Sequence, residues 1–166
     1  MASSIDRSVG RSVGRPAGLI GKTGVVRARH RVRQLANAVN LSTPIGLAVA
    51  RAGRAAVVPG PRGLIFATGY RFRFPTGGAF TIGNVITSRM SLDELLRYPR
   101  VLAHEERHAW QYAVFAGPLY WPLYCAAMGW SMLRTGDRAS RNVFERSAGL
   151  ADGGYVDRPV RAMLVP

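Results

Sequence analysis

Twenty-five consecutive residues, Ala109 to Leu133, carry no charged side chain. A stretch of that length can cross a bilayer as one helix, so its disposition governs the rest of the fold. Pro118 and Pro122 interrupt it near the middle and argue against a single straight span. Immediately before it stands His104-Glu105-Glu106-Arg107-His108, and after it comes Asn142-Val143-Phe144-Glu145. These two flanks together decide between a crossing and a return.

On a helix, His104 and His108 lie four residues apart and project from one face. Two imidazoles so placed can hold one zinc ion. Glu105, beside the first, leans toward the open coordination position, where it can take a proton from water on the metal. All of the chain's histidines except His30 fall inside this motif. Val101-Leu102-Ala103 before it and Ala109-Trp110 after it argue against a simply solvated helix face. No third histidine follows closely, which excludes the metzincin spacing. Glu145, 37 residues beyond His108, is the candidate third ligand, and the interval has room for one intervening helix. Two histidines and a glutamate leave one position of a catalytic zinc for water. Asp152, seven residues further on, shares Glu145's helical face if the helix continues and is a candidate for orienting a ligand histidine. Gly153-Gly154 marks a helix end nearby. Three ligands of one ion cannot be parted by one membrane crossing. The uncharged run must therefore return to the side it left, as a buried helical hairpin broken at its prolines or as one dipping into a membrane.

Upstream, the uncharged segment 34–50 is broken by Ser42-Thr43-Pro44, a pattern of two short helices. Gly63–Ala67 and Tyr70–Phe74 have strand character, the second alternating aromatic and arginine so that one face is buried. Pro75-Thr76-Gly77-Gly78 is turn chemistry, and Ala79–Thr87 is a β-branched run. Ser91 with Glu94 forms a capping-box pattern. Pro99 opens a helix that runs through the histidines to about Ala116, where Gly117-Pro118 ends it. The expected fold is α+β: a small antiparallel sheet packed on the histidine-motif helix, a broken apolar helical hairpin and a glutamate-bearing helix. Residues 1–33, with Arg7-Ser8-Val9-Gly10 repeated as Arg11-Ser12-Val13-Gly14, read as a flexible basic tail, and residues 34–166 as a single domain.

The order Thr81-Ile82-Gly83-Asn84-Val85-Ile86, a short helix, then Leu102-Ala103-His104-Glu105-Glu106-Arg107-His108-Ala109-Trp110-Gln111 resembles the minimal core of gluzincin-type zinc metallopeptidases. That group includes small bacterial domains in which a strand leads into a comparable helix. The likeness covers roughly residues 62 to 155, and only the histidine motif is specific within it. It implies a zincin-like domain with one zinc ion on His104, His108 and Glu145, and Glu105 as the catalytic base. It also implies a strand, Phe80–Thr87, whose residues Thr81, Ile82, Gly83, Asn84 and Val85 form the edge where a peptide or protein substrate pairs. The transition-state-stabilising Tyr or His of such enzymes has no clear counterpart; Tyr155 is the candidate.

The net charge of +14 rests on arginine, since Lys22 is the only lysine among 23 basic residues. Such a balance favours contact with nucleic acid or an anionic membrane surface, although the general bias of an Arg-, Ala- and Gly-rich proteome gives the same figure. The arginines are spread along the chain with no helix-turn-helix or RNA-binding signature, which makes a basic nucleic-acid-binding protein the weaker alternative. A second alternative is a catalytically inactive zinc-binding scaffold or a membrane-associated protein. Tyr120-Trp121, Tyr124 and Trp130 suit an interfacial position, and Arg134, Arg138 and Arg141 suit anionic head groups. The single cysteine, Cys125, excludes an internal disulfide and reads as a small buried hydrophobe. The opening residues contain no apolar core of signal-peptide length, which points to a cytoplasmic setting without a cleavable signal.

Overall fold

The computed structural model describes residues 27–73 and 78–161. The Arg-Ser-Val-Gly repeat, most of the expected basic tail and the core of the Pro75–Gly78 turn lie outside those residues.

The chain begins with two helices, α1 (Ala28–Val39) and α2 (Ser42–Ala52), joined at Leu41. The break near Ser42 falls where the sequence placed it. The helical start does not, because α1 takes up residues 28–33 of the stretch expected as tail and buries His30 and Arg33. Four short strands follow: β1 (Ala56–Pro59), β2 (Ile65–Thr68), β3 (Ala79–Ile82) and β4 (Val85–Ser88). Their spatial order is β1-β2-β4-β3, with β2 and β4 parallel and the outer pairs antiparallel. The sheet is therefore mixed, where an antiparallel one was expected.

Two expectations fail here for local reasons. Tyr70–Arg73 is not a strand, because its backbone donors go elsewhere: Tyr70 N–H to Ser88 O at 3.0 Å and Arg71 N–H to Gly53 O at 2.9 Å. The run Ala79–Thr87 is not one strand but a hairpin, since Gly83 (φ 62°) opens a two-residue turn between β3 and β4. A side chain there would also collide with α2, its Cβ falling 2.4 Å from Thr43 N. That turn folds β4 back between β2 and β3 and makes it the buried central strand.

Alternate residues then face opposite layers. Phe66 and Ile86, with Leu64, pack on Ala109 and Leu102 of α4 (Pro99–Val114). Ala67 and Val85 pack on Ala50 and Leu47 of α2. The sheet is thus covered by α4 on one face and α2 on the other. A short helix α3 (Leu92–Leu95), capped by the Ser91 hydroxyl on Glu94 N–H as its motif predicts, leads into α4, which has Pro99 at its first position.

The uncharged run is divided between the end of α4, a 3-10 turn at Gly117–Leu119 and α5 (Tyr120–Thr135). The break falls at Ala116, which adopts left-handed backbone (φ 54°), and Pro122 is accommodated in the first turn of α5. Among the described residues no helix is long and apolar enough to cross a membrane. Cys125 is exposed on α5 rather than buried. α6 (Val143–Ser147) then returns the chain to α4 and α5.

Candidate metal centre

Helix α4 is enclosed on three sides, and each side fixes a different part of the motif. The sheet-facing stripe Leu102, Glu105, Ala109 places Glu105 under β3. There the Thr81 hydroxyl donates to its carboxylate at 2.7 Å and contacts its backbone carbonyl at 3.2 Å. A second side meets α1. Arg33, fully buried, donates to Glu106 at 2.8 Å and to Asn84 at 3.1 Å, while Asn37 donates to Ala109 O at 2.8 Å. The third side carries His104 and His108 and faces α6.

Glu145 reaches that third side through packing around its neighbour. Asn142 caps α6 by accepting from Phe144 N–H. Phe144 is buried against Tyr112 and Tyr120, and its carbonyl accepts from the Gln111 amide at 2.9 Å. With Phe144 fixed, Glu145 points at the histidines. The two Nε2 atoms lie 3.0 Å apart, and Glu145 Oε2 is 3.1 Å from that of His104 and 3.6 Å from that of His108. One donor atom from each of the three residues lies within 4.8 Å of the others, and all three residues are buried.

The outer contacts set the tautomers. His104 Nδ1 lies 3.1 Å from Ala148 O and 3.0 Å from Gly149 O. Carbonyls only accept, so Nδ1 carries the proton. His108 Nδ1 lies 2.7 Å from Gln111 Oε1, and the Gln111 amide orientation is fixed because its nitrogen donates to Phe144 O and Ser147 Oγ. Tyr120 OH donates to the same Oε1 at 2.8 Å. In its neutral form each imidazole would therefore direct a bare Nε2 lone pair at the other, a repulsive pairing relieved by a proton or a cation. Glu145 Oε2 is buried and makes no hydrogen bond, while Tyr124 OH donates to its other oxygen. Two imidazole nitrogens and one carboxylate oxygen, each otherwise unpartnered at this point, are a donor set that fits zinc.

The electrostatics agree with a site built for positive charge. Burial alone would raise Glu145, but the facing imidazoles and the Tyr124 hydroxyl outweigh it and hold the carboxyl well below its usual range. Burial likewise opposes charge on His108, yet Glu145 and Glu105 raise it above the ordinary imidazole value. Glu105 is pushed up by burial, against the pull of His108 and the Thr81 hydrogen bond. Burial also raises Tyr155, to about 12.

The four candidate site residues are nearly closed off, with His104 2 %, Glu105 6 %, His108 8 % and Glu145 3 % exposed. The turn after α6 covers His104: a Cβ on Gly153 would sit 2.6 Å from its Cε1. Tyr155 lies beside it, ring centroids 6.0 Å apart, and also lines a shallow surface cavity of about 280 Å³.

The candidate residues thus divide. His104, His108, Glu145 and Glu105 converge, with Tyr155 adjacent. Asp152 does not join them: Arg100 and Arg107 hold its carboxylate at 2.9 Å each, and backbone carbonyls orient His104 instead. Of the expected substrate edge, Thr81 and Ile82 lie on β3 at the end of the sheet, Gly83 and Asn84 form the turn, and Val85 belongs to central β4. Asn84 is occupied in holding Arg33 and Asn37. Gln111, Tyr120 and Tyr124 were not anticipated as site residues. Gln111 was legible, three residues beyond His108 on one helix face. The tyrosines, which suit a membrane interface by composition, became site residues only through the packing of α5. Comparison with protein-family models, with curated proteins and with solved structures found no match to this chain.

Proposed function

We propose that this chain is a zinc-dependent hydrolase acting on peptide bonds. His104, His108 and Glu145 are the metal ligands, and Glu105 is the general base. The observation that carries the reading is the convergence of two preset Nε2 donors and an unpartnered carboxylate oxygen beside a second buried glutamate. The gluzincin-like order of a strand, the histidine motif and a downstream glutamate supports it.

A bound zinc ion would supply Lewis acidity toward a carbonyl and toward water. The chain's own residues do the rest. Glu105, oriented by Thr81, accepts a proton at its carboxylate and returns it to the leaving amine. Ala148, Gly149 and Gln111 hold the imidazoles against rotation. β3, at the end of the sheet, is the strand to which an extended peptide adds. Tyr155, between the surface cavity and His104, lines the approach.

The near-complete burial of all four residues favours a second reading, a closed zinc site that stabilises the fold without catalysis. Elemental analysis and peptide cleavage separate the two. Wild type is expected to hold about one equivalent of zinc, which His104→Ala, His108→Ala and Glu145→Ala lose. Glu105→Gln should keep the metal and lose cleavage of a peptide library. Zinc retention with no cleavage by wild type selects the structural reading. Absence of zinc after reconstitution defeats both.

A further inference from the structure

Helix α1 is amphipathic in the reverse of the usual sense. It buries His30, Arg33 and Asn37, and inside the protein Arg33 donates to Glu106 and Asn84 while Asn37 donates to Ala109 O. Its apolar stripe, Val32, Leu35 and Val39 at the same spacing, points outward, with Leu35 67 % and Val39 74 % exposed. The end of α1 adjoins the connection between α4 and α5. Asn40 donates to Tyr112 O at 3.0 Å, and Gly117 lies so close that a Cβ would be 2.6 Å from Asn40 O. Val114 at the end of α4 and Leu119 in that connection are exposed, as are Trp121, Leu123, Trp130 and Leu133 on α5. Isolated exposed apolar residues are ordinary; their accumulation on α1, on α5 and at the α4–α5 connection that the end of α1 touches marks an interaction surface.

Charge selects the occupant. The sequence has no Asp or Glu from residue 27 to 92 or from 107 to 136, so α1, α2, the α4–α5 connection and α5 are free of acidic side chains. Arg27, Arg29 and Arg31 are exposed around the start of α1. Arg134, near the end of α5, lies 5.3 Å over the Trp130 ring. A second copy would bring like charges together with no acid to neutralise them. Nucleic acid offers phosphates but no cover for Leu35 or Val39. An anionic bilayer meets both demands: apolar side chains enter the acyl boundary, tryptophans sit at head-group depth, and arginines meet lipid phosphates.

We propose that α1, the α4–α5 connection and α5 seat the protein on the surface of an anionic phospholipid bilayer without crossing it. The proposal rests on this surface and is independent of the metal reading. The test is flotation of the full chain with phosphatidylcholine vesicles and with vesicles of phosphatidylcholine and phosphatidylglycerol, with tryptophan emission and analytical ultracentrifugation alongside. The chain should float with the anionic vesicles, more weakly with the neutral ones, and its emission should shift to the blue. The exposed double substitution Leu35→Ser/Val39→Ser should cut partition at least about tenfold, with circular dichroism unchanged; Trp130→Ser should act in the same direction. Failure to float, equal partition into both vesicle types, or undiminished partition of the variants overturns the proposal. So does a lipid-free dimer that the same substitutions dissociate, which would assign the face to a second copy.

Discussion

The His104 imidazole is held from three directions: its Nδ1 faces the Ala148 and Gly149 carbonyls, its Nε2 faces His108 and Glu145, and Gly153 lies against the ring. No side chain fits at position 153 without turning the ring or displacing the turn. Gly153→Ala should therefore weaken zinc binding at least about tenfold, within the range expected for disturbed outer contacts. Competition with a chromophoric chelator measures this, and unchanged affinity would mean that the turn moves aside freely. Gln111 ties His108 to α6, since one amide accepts from the imidazole and donates to Phe144 O and Ser147 Oγ. Gln111→Ala should lower zinc affinity by roughly 10- to 100-fold, read by the same competition. A purely structural role would instead move thermal stability and leave the affinity of the folded protein intact.

At the level of elements, the site depends on two junctions remote from the candidate ligands. The first is the β3–β4 turn. Gly83 combines left-handed backbone with an approach to α2 in which a Cβ would lie 2.4 Å from Thr43 N. Gly83→Ala should cost about 1–3 kcal/mol or more in denaturant unfolding. A change within a few tenths would show that α2 yields easily. The second junction is the clamp of α1 on α4. Arg33 is fully buried, donates to Glu106, Asn84 and Arg62 O, and lies 5.5 Å over the ring of Trp110. Arg33→Ala would leave Glu106 to the half-exposed Arg62, which donates to it at 2.9 Å; loss of the buried partner should cost about 3 kcal/mol. Denaturant titration decides, and a loss below about 1 kcal/mol would mean that Arg62 alone satisfies Glu106.

Over the whole molecule, the candidate ligands lie on α4 and α6, on either side of α5 in the chain, so binding of a metal there would be linked to folding. At a zinc concentration about a thousandfold above Kd, the linkage is worth about 4 kcal/mol, or roughly 10 °C in melting temperature for a chain of this size. Removing zinc with a chelator should lower the melting temperature of wild type by about that amount and leave His108→Ala unaffected. An equal melting temperature with and without chelator would remove zinc from the folded state. The surface proposed to meet lipid lies on α1, the α4–α5 connection and α5, none of which supplies a candidate ligand, so the two properties can be altered separately.

The residue types and spacing of the chain were sufficient to mark His104, Glu105 and His108, because a helix repeat alone puts both imidazoles on one face. They also marked the Ser91 cap, the helix start at Pro99 and the break near Ser42, all consequences of local chemistry, and offered Glu145 as a third ligand, although its approach to the histidines depends on the packing of Phe144. Alternation did not distinguish a strand from a hairpin at Gly83, nor show that β4 would insert beside β2, because pairing partners are non-local. Nor did local pattern reveal that α1 buries its arginine and asparagine and exposes its valines and leucine. That inversion exists only because Glu106, Asn84 and the α4 carbonyls are brought opposite it, where hydrogen bonds outweigh the ordinary preference for apolar burial.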